Sequence, residues 1–390
     1  MRHIAVTAAF LLAASVPATV LADECAPPAL DEPVAALART DHAASGNRIV
    51  AGCGPLSGEV VDVQLAGAPT WVLPDPSDRG GSWFVVLEDG TVDHVTVDDG
   101  GAAFVRQSEA PPLVPGQAPL ALAMGEDGVV VGSALGASAW FADPLPDTRA
   151  TEIAGALVAL TAPTDRYDHG VLGDAIEAAA LEVRDGSGRL ARIEVGPDEV
   201  IEGLSAMVVQ LRPDDPVLAL VVTVSDAADG ARLRAYGLDG EVVAESAPIG
   251  QGYRWLHQIA AGPLGADGEM EIVVVRTPHI GGIVEAYRLV EGRLELAASQ
   301  AGYSSHQLGS SNLDMALLAD ADGDGRLDVV VPTQDMTTLG VLTRTADGFE
   351  EVASLPLDGT LATNVAVTAD AEGRLVFAVG TDDQRLRIFR

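Results

Sequence analysis

Residues 324–353 read DGRLDVVVPTQDMTTLGVLTRTADGFEEVA. An acidic-Gly turn opens this stretch, a Val-rich run follows, and a polar loop separates that run from a second apolar one. The same order recurs in residues 267–298 and 372–390, and residues 218–246 fit it as well. The apolar runs are short, rich in Val, Ile and Thr, and bounded by turn residues, so they predict strands rather than helices.

The spacing of these repeats predicts a β-propeller. Glu271 and Asp328 occupy matching positions 57 residues apart, and Leu327 and Leu375 match 48 residues apart. Repeats of about 40–55 residues with four strands each are typical of propeller blades. Eleven Asp-Gly pairs add many tight hairpins to this pattern. The alternatives are a solenoid or a tandem of β-sandwiches.

We favour seven blades in an all-β chain, although six or eight are possible because residues 116–196 are irregular. The predicted blades centre on residues 68–108, 116–147, 150–196, 202–247, 253–299, 307–354 and 361–390. The last unit lacks an outer strand. Residues 59–65 alternate apolar and polar side chains, so we expect this N-terminal strand to close the last blade.

Residues 1–22 have the pattern of a secretory signal peptide. A basic start precedes an apolar stretch, and a small residue, Ala22, stands before Asp23. The alternative, a membrane anchor, is disfavoured because the apolar part is short and contains Pro17. No later apolar run is long enough for a membrane span, so we expect a periplasmic or secreted protein.

The mature chain is therefore divided into a segment at 23–58 and a single propeller domain at 59–390. Cys25 and Cys53 are the only cysteines, and in an oxidising compartment they predict a disulfide that fixes this N-terminal segment. Two free thiols are the alternative.

The charge excludes several function classes. The chain has 57 acidic and 23 basic side chains, a formal net charge of −34, and no lysine. Nucleic-acid binding is not expected because a phosphate backbone would be repelled. Schiff-base and P-loop chemistry require a lysine and are excluded. The 48% of hydrophobic residues predicts a packed core.

One loop has the composition of a calcium site. Carboxylates stand at positions 1, 3, 5 and 9 of a Gly-containing turn, namely at Asp320, Asp322, Asp324 and Asp328. Ca²⁺ takes six to eight oxygen ligands, and the main-chain carbonyl of Arg326 would add another. An EF-hand is excluded because position 12 is Val331 and a strand follows. The alternative is a solvated Asp-Gly turn.

This loop, followed by an apolar strand and Pro332, resembles the FG-GAP (VCBS-like) repeats of integrin-α-type β-propellers. The resemblance implies Ca²⁺ bound between the first and second strands of a blade by Asp320, Asp322, Asp324, the Arg326 carbonyl and Asp328. The preceding blade keeps Asp267 and Glu271 but has Pro263 and Gly265 at the two earlier ligand positions. The last blade keeps only Asp370 and Glu372, so a second site is not expected.

A ligand-binding surface is predicted on the opposite face. If the four strands of each blade are called A to D from the centre outwards, the calcium loop is an A–B turn, and the B–C and D–A loops lie at the other end. His and aromatic residues concentrate in those loops, where we expect protein or glycan to bind. The candidate contact residues are Asp168, His169, Tyr253, Trp255, His257, His279, Tyr303 and His306, with Tyr167 beside them. These side chains could instead brace adjacent blades, and a histidine metal cluster is a further alternative.

The function that these patterns favour is a non-catalytic binding module of the cell envelope that contains structural Ca²⁺. The alternative is an envelope hydrolase or lyase whose acid and base lie at the channel mouth. Candidate pairs are His306 with Asp314 or His257, and Asp168 with His169. No Gly-x-Ser-x-Gly nucleophile elbow is present. A purely architectural role is the third possibility.

Overall fold

The computed structural model describes residues 47–54, 58–75, 78, 80–98, 100–107, 121–125, 128–132, 141–153, 155–212 and 218–390, with the backbone alone for 121–132. These residues form strands joined by turns, and none of them is helical. Accordingly, this part of the chain contains no helix with the length and apolar character needed to cross a membrane. The predicted signal peptide at 1–22 and Cys25 lie outside the described residues.

The described chain contains 27 strands, numbered in order. Their bounds are β1 Ile49–Cys53, β2 Val60–Gln64, β3 Pro69–Pro74, β4 Ser82–Leu87, β5 Val92–Val97, β6 Ala103–Gln107, β7 Ala121–Gly125, β8 Gly128–Gly132, β9 Thr151–Ile153, β10 Ala156–Thr164, β11 Glu177–Asp185, β12 Gly188–Glu194, β13 Val200–Gln210, β14 Leu218–Ser225, β15 Arg232–Gly237, β16 Val242–Ser246, β17 Leu256–Pro263, β18 Met270–Arg276, β19 Ile283–Val290, β20 Arg293–Ala301, β21 Leu317–Asp320, β22 Asp328–Pro332, β23 Thr338–Thr345, β24 Gly348–Pro356, β25 Ala366–Ala369, β26 Leu375–Thr381 and β27 Arg385–Phe389.

Consecutive strands pair as four-stranded antiparallel meanders, which are the blades of a β-propeller. Five such units are complete in chain order: β3–β6, β9–β12, β13–β16, β17–β20 and β21–β24. Strands β7 and β8 form a hairpin at the predicted position of the second blade. The all-β propeller prediction is confirmed. The count of seven blades stays a prediction because residues 108–120 and 133–140 lie outside the described part.

The N-terminal strand closes the last blade, as its alternating pattern predicts. Strand β2 pairs antiparallel with β27, which places Val61 opposite Ile388 and Val63 opposite Leu386. The Asp62 carboxylate accepts hydrogen bonds from Nε and Nη2 of Arg387 at 2.7 and 2.8 Å. Strand β2, from the N-terminal part of the chain, thus completes the unit formed by β25–β27.

The apolar cores lie between neighbouring sheets rather than within one sheet. Val72 and Val85 of the first blade, for example, pack in one cluster with Val376 and Leu386 of the last. All four are at most 4% exposed, and burying a side chain of this size contributes roughly 1.5–3 kcal/mol. Each blade therefore depends on its neighbours, which fixes the loops at both ends of the strands.

Strand β1 was not predicted and belongs to the propeller. It pairs in parallel with β21. The Asn47 side chain bonds both main-chain groups of Ala261, at 3.1 and 2.9 Å. Arg48 donates to the carbonyl oxygens of Asp314 and, at 2.7 Å, of Val365. Residues 47–53 thus tie three blades together on the innermost side, and buried Cys53 ends this strand.

Candidate functional site

The Asp320–Asp328 loop joins β21 to β22 and is an A–B turn, as predicted. Carboxylate oxygens of Asp320, Asp322 and Asp328 lie within 4.8 Å of one another. Main-chain amides of Gly323 and Gly325 donate to the Asp320 carboxylate at 2.8 and 3.2 Å. Backbone amides of the turn thus hold the oxygens in place around one point.

One further predicted ligand, the Asp324 carboxylate, lies differently, and the role of the Arg326 carbonyl stays a prediction. The carboxylate of Asp324 is exposed and accepts a hydrogen bond from the Arg326 amide at 2.8 Å. Asp324 is not a member of the three-carboxylate group. Nη2 of Arg326 donates to the Arg344 carbonyl at 3.0 Å, so its guanidinium is directed away from the three carboxylates.

The electrostatics of the loop favour a cation. Burial and, to a lesser degree, the nearby Asp322 carboxylate raise the pKa of Asp328 to about 6. Burial also raises the pKa of Asp320 above its ordinary value. Both side chains are fully buried. Clustered anions in such a place are unfavourable without a counter-charge, and the hard carboxylate oxygens suit Ca²⁺.

Arginine side chains pair with carboxylates of the equivalent turns in two other blades. In the preceding blade, Glu271 is fully buried and pairs with Arg344 through Nε at 3.0 Å and Nη2 at 3.2 Å. In the last blade, Arg374 donates through Nε to Asp370 at 2.9 Å. No arginine pairs with Asp320, Asp322 or Asp328 in the described part of the chain. An arginine thus supplies at Glu271 the counter-charge that a metal ion would otherwise provide.

At the opposite face, the first group of predicted contact residues surrounds Tyr253. The rings of Tyr167 and Tyr253 stack with centroids 4.8 Å apart and planes 2° apart. The Tyr253 amide donates to the Tyr167 hydroxyl at 2.7 Å. Tyr253 has φ of 55° and is 43% exposed, whereas Tyr167 is buried. A non-glycine residue held in the left-handed region is uncommon and is typical of functional loops.

His169 lies beside this stack and pairs with a carboxylate that sequence reasoning missed. Its Nδ1 is 2.6 Å from Oε1 of Glu202, and the other Glu202 oxygen accepts a hydrogen bond from the Ser225 hydroxyl. The partner predicted for His169 was its neighbour Asp168, which is instead exposed. Side chains of adjacent loop residues diverge, whereas Glu202 approaches His169 from β13.

The second group contains the other three predicted histidines. Nε2 of His306 donates to the Ser310 carbonyl, so its Nδ1 accepts from Nε2 of His279 at 2.7 Å. Nδ1 of His257 lies 2.7 Å from the Ser305 hydroxyl. Burial lowers the pKa of all three, that of His306 to about 4. They are therefore neutral hydrogen-bonding groups near neutral pH.

Several predicted contact residues are inaccessible. Trp255, His257, Tyr303 and His306 are each at most 5% exposed. The Tyr303 hydroxyl donates to Glu351, and its ring lies against Gly340, so this residue packs on the outer part of its own blade. These four side chains would not touch a ligand at the mouth in this structure, and they brace neighbouring loops. Asp168, His169, Tyr253 and His279 remain accessible.

The predicted pairs of His306 with Asp314 or His257 are also not formed. Asp314 pairs with Nη1 of Arg149 at 2.8 Å, and the rings of His257 and His306 are 6.3 Å apart. The arginine takes the carboxylate because a permanent cation is the stronger partner for a buried anion.

One more titratable group was missed. Glu177 begins β11 at 3% exposure, and its Oε2 has no hydrogen-bond partner. Burial and, to a lesser degree, the Glu202 carboxylate raise the pKa of Glu177 to about 9. A glutamate next to strand residues that are otherwise apolar, as in Val200-Ile201-Glu202, is the sequence signal that could have indicated both groups.

One cavity near the mouth loops is small. A cavity lined by Arg149, Glu202, Trp255, His257 and Asp314, among others, leaves about 30 Å³ for the centres of water molecules. That space holds one or two waters. It is too small for an organic substrate, so a larger ligand would contact the loops outside it.

Comparison with known proteins adds the following. No protein family and no curated protein matches the sequence. Among solved structures, the chain is similar to the WD40 β-propeller domain of Doa1, with a TM-score of 0.44 and 12% identity over 86% of this chain and 96% of that one. The β-propeller domain of Cps50 (Swd1) from Myceliophteria thermophila has a TM-score of 0.42 and 12% identity over 85% and 99% of the two chains. BBS1N, solved in complex with ARL6DN, has a TM-score of 0.41 and 12% identity over 84% and 97%.

Proposed function

We propose that this chain is an exported, calcium-binding β-propeller of the FG-GAP type. It acts as a non-catalytic binding module of the cell envelope and takes protein or glycan at the face that carries Tyr253. Ca²⁺ binds at Asp320, Asp322 and Asp328 and stabilises the scaffold.

The absence of a large enclosed cavity among the described mouth residues is the observation that carries the non-catalytic assignment. Enzyme sites usually enclose most of a small substrate, whereas the cavity at His257 and Asp314 has room for one or two waters. The larger groove on the mouth loops, at Gly302 and residues 333–338, is open rather than enclosed. The accessible polar and aromatic groups lie on the loops around the small cavity. Such a surface is suited to contact with a larger molecule.

Calorimetric titration tests the metal site. We expect Ca²⁺ to bind the wild type, and at a hundredfold excess over Kd it should stabilise the folded state by about 2.7 kcal/mol. Asp328→Asn should abolish both effects because it removes a buried ligand oxygen. Asp267→Asn is the matched control, since Asp267 is exposed in the A–B turn of the preceding blade. Identical melting curves in Ca²⁺ and in chelator would refute the metal site.

Export is tested separately. Mass spectrometry of the protein recovered from the medium or the periplasm should find Asp23 as the first residue. Recovery of an intact Met1 in the cytoplasmic fraction would contradict this prediction.

The His169–Glu202 pair favours one second candidate, the envelope hydrolase or lyase. A histidine oriented by a buried carboxylate is the arrangement of a general base, and here the two atoms are 2.6 Å apart. On this alternative, His169→Ala would abolish turnover of envelope polysaccharides while leaving their binding intact. If the favoured proposal is correct, neither the wild type nor His169→Ala turns over these polysaccharides.

A further inference from the structure

Six loops of the mouth are joined into one surface by hydrogen bonds. They are residues 165–176, 226–230, 250–255, 277–282, 302–311 and 333–337. The joining bonds, all between 2.7 and 2.9 Å, are Tyr253 N to Tyr167 Oη, Gly250 N to Asp229 O, Gly309 N to Val171 O, His279 Nε2 to His306 Nδ1 and Gln334 N to Gly302 O. A surface fixed in this way loses little conformational freedom when it binds.

Three large apolar side chains are exposed on these loops. Tyr253 is 43% exposed, Ile280 is 64% and Leu308 is 70%. We call them the mouth patch. The other four tyrosines of the chain are buried. Tyr253 stacks one ring face on Tyr167, which fixes the ring as a platform for a partner. Exposed aromatic and aliphatic side chains on a rigid surface are typical anchors of a protein interface.

The charge around the mouth patch is negative. Five exposed carboxylates belong to the six loops, namely Asp165, Asp168, Asp174, Asp229 and Asp335. The two arginines within these ranges are held by main-chain oxygens. Nη2 of Arg166 donates to the Gly196 carbonyl at 3.2 Å, and Nη1 of Arg254 donates to the Tyr253 carbonyl at 2.7 Å. The exposed carboxylates outnumber the two arginines, so a cationic partner would meet a surface of net negative charge.

Building on the proposed function of this face, we propose that the mouth patch binds a basic segment of a partner protein. An apolar side chain of that segment packs among Tyr253, Ile280 and Leu308, and its lysines or arginines face the surrounding carboxylates. The open ring face of Tyr253 attracts a guanidinium or ammonium group, and the negative field speeds encounter with a cation. Anionic glycans would be repelled.

Selection from a display library of random dodecapeptides tests the proposal on the full-length mature protein. We expect enriched peptides to combine lysine or arginine with an aromatic or aliphatic residue. Leu308→Ser should weaken their binding about tenfold or more. Leu296→Ser is the matched control, because Leu296 is 54% exposed on the outer strand β20. Leu308 is exposed enough that its replacement should leave the fold intact, which a melting curve will check.

The charge component has its own pair of variants. Asp168→Asn should weaken the selected peptides by about two- to fivefold at low salt, and the loss should vanish near about 1 M salt, where charges are screened. Asp347→Asn, at an exposed turn between β23 and β24, should change nothing.

Three outcomes would overturn the inference: enrichment of neutral or acidic peptides, equal losses in Leu308→Ser and Leu296→Ser, or no enrichment together with binding of a neutral polysaccharide such as dextran or xylan. The second and third outcomes would leave the proposed binding function standing, with a different site or a different ligand. Failure of the proposed function is distinct, since the wild type would then bind no peptide, polysaccharide or envelope protein.

Discussion

Replacing Glu177 by glutamine should stabilise the protein at neutral pH, although the replaced residue is buried. Glu177 is 3% exposed, its Oε2 has no hydrogen-bond partner, and no arginine pairs with it in the described part of the chain. Burial raises its pKa from an ordinary value of 4.5 to about 9. The folded protein therefore keeps this proton at a pH where the unfolded chain releases it.

The sign and size of the effect follow from proton linkage. Because the folded state binds the proton more tightly, this residue lowers stability as pH rises from about 4.5 to about 9. At pH 7 the penalty is about 3 kcal/mol, taking about 1.4 kcal/mol for each pH unit above 4.5. Glutamine has nearly the same shape and no titration, so Glu177→Gln should match the wild type near pH 4.5 and exceed it by about 3 kcal/mol at pH 7.

Urea unfolding between pH 5 and pH 9 in saturating Ca²⁺ measures this difference, and other titrating groups cancel between the two proteins. Glu182 provides the matched control on the same strand, β11. It is also buried but accepts a hydrogen bond from Arg184 at 2.8 Å and lies 3.5 Å from Arg192. Glu182→Gln should therefore destabilise, by about 1–3 kcal/mol. A Glu177→Gln difference that is constant with pH, or that has the same sign as the control, would refute the reasoning.

Two other substitutions test the scaffold. Arg344→Met should destabilise by about 3–5 kcal/mol in urea unfolding, because it leaves buried Glu271 with only the more distant Arg288, at 3.9 Å. The double variant with Glu271→Met should recover most of that loss, and no recovery would contradict the pairing. Val63→Asp places a charge at a 5% exposed position of β2 and should lower the free energy of unfolding by several kcal/mol. Protease cleavage within β2 should then become faster, and unchanged resistance to the protease would argue against closure by β2.

The sequence was most informative where the pattern is local. Strand β2 was predicted because its residues alternate and the last unit lacks a strand, and the position of the Asp320–Asp328 loop follows from the strands on either side. Strand β1 was missed because Ile49–Cys53 has no neighbouring partner: it pairs in parallel with β21, more than 260 residues later. Such pairing leaves no turn or period in the sequence.

The sequence predicted which residue types and which loops form the candidate surface, but it did not predict which of their side chains are accessible. Whether His306 reaches solvent depends on packing from other blades, and it is 1% exposed. The pairs His169–Glu202 and Arg149–Asp314 join residues 33 and 165 positions apart. Nothing in the composition of either segment selects one partner over the other carboxylates nearby.

One short strand, β21, connects the loops of the two proposed sites. Strand β21 has four residues, which span about 13 Å. Asp320 ends this strand, and its carbonyl accepts from the Gly54 amide at 2.6 Å. Just before the strand begins, the Asp314 carbonyl accepts from Arg48 of the same N-terminal segment. The N-terminal segment is thus bonded to Asp320 at the end of β21 and to Asp314 before it. A cation that orders the aspartate loop therefore also restrains the residues that lead from the mouth into β21. Hydrogen exchange of residues 302–316 should therefore slow when Ca²⁺ is added to the wild type and stay unchanged in Asp328→Asn; equal exchange in both conditions would show that the two faces are independent.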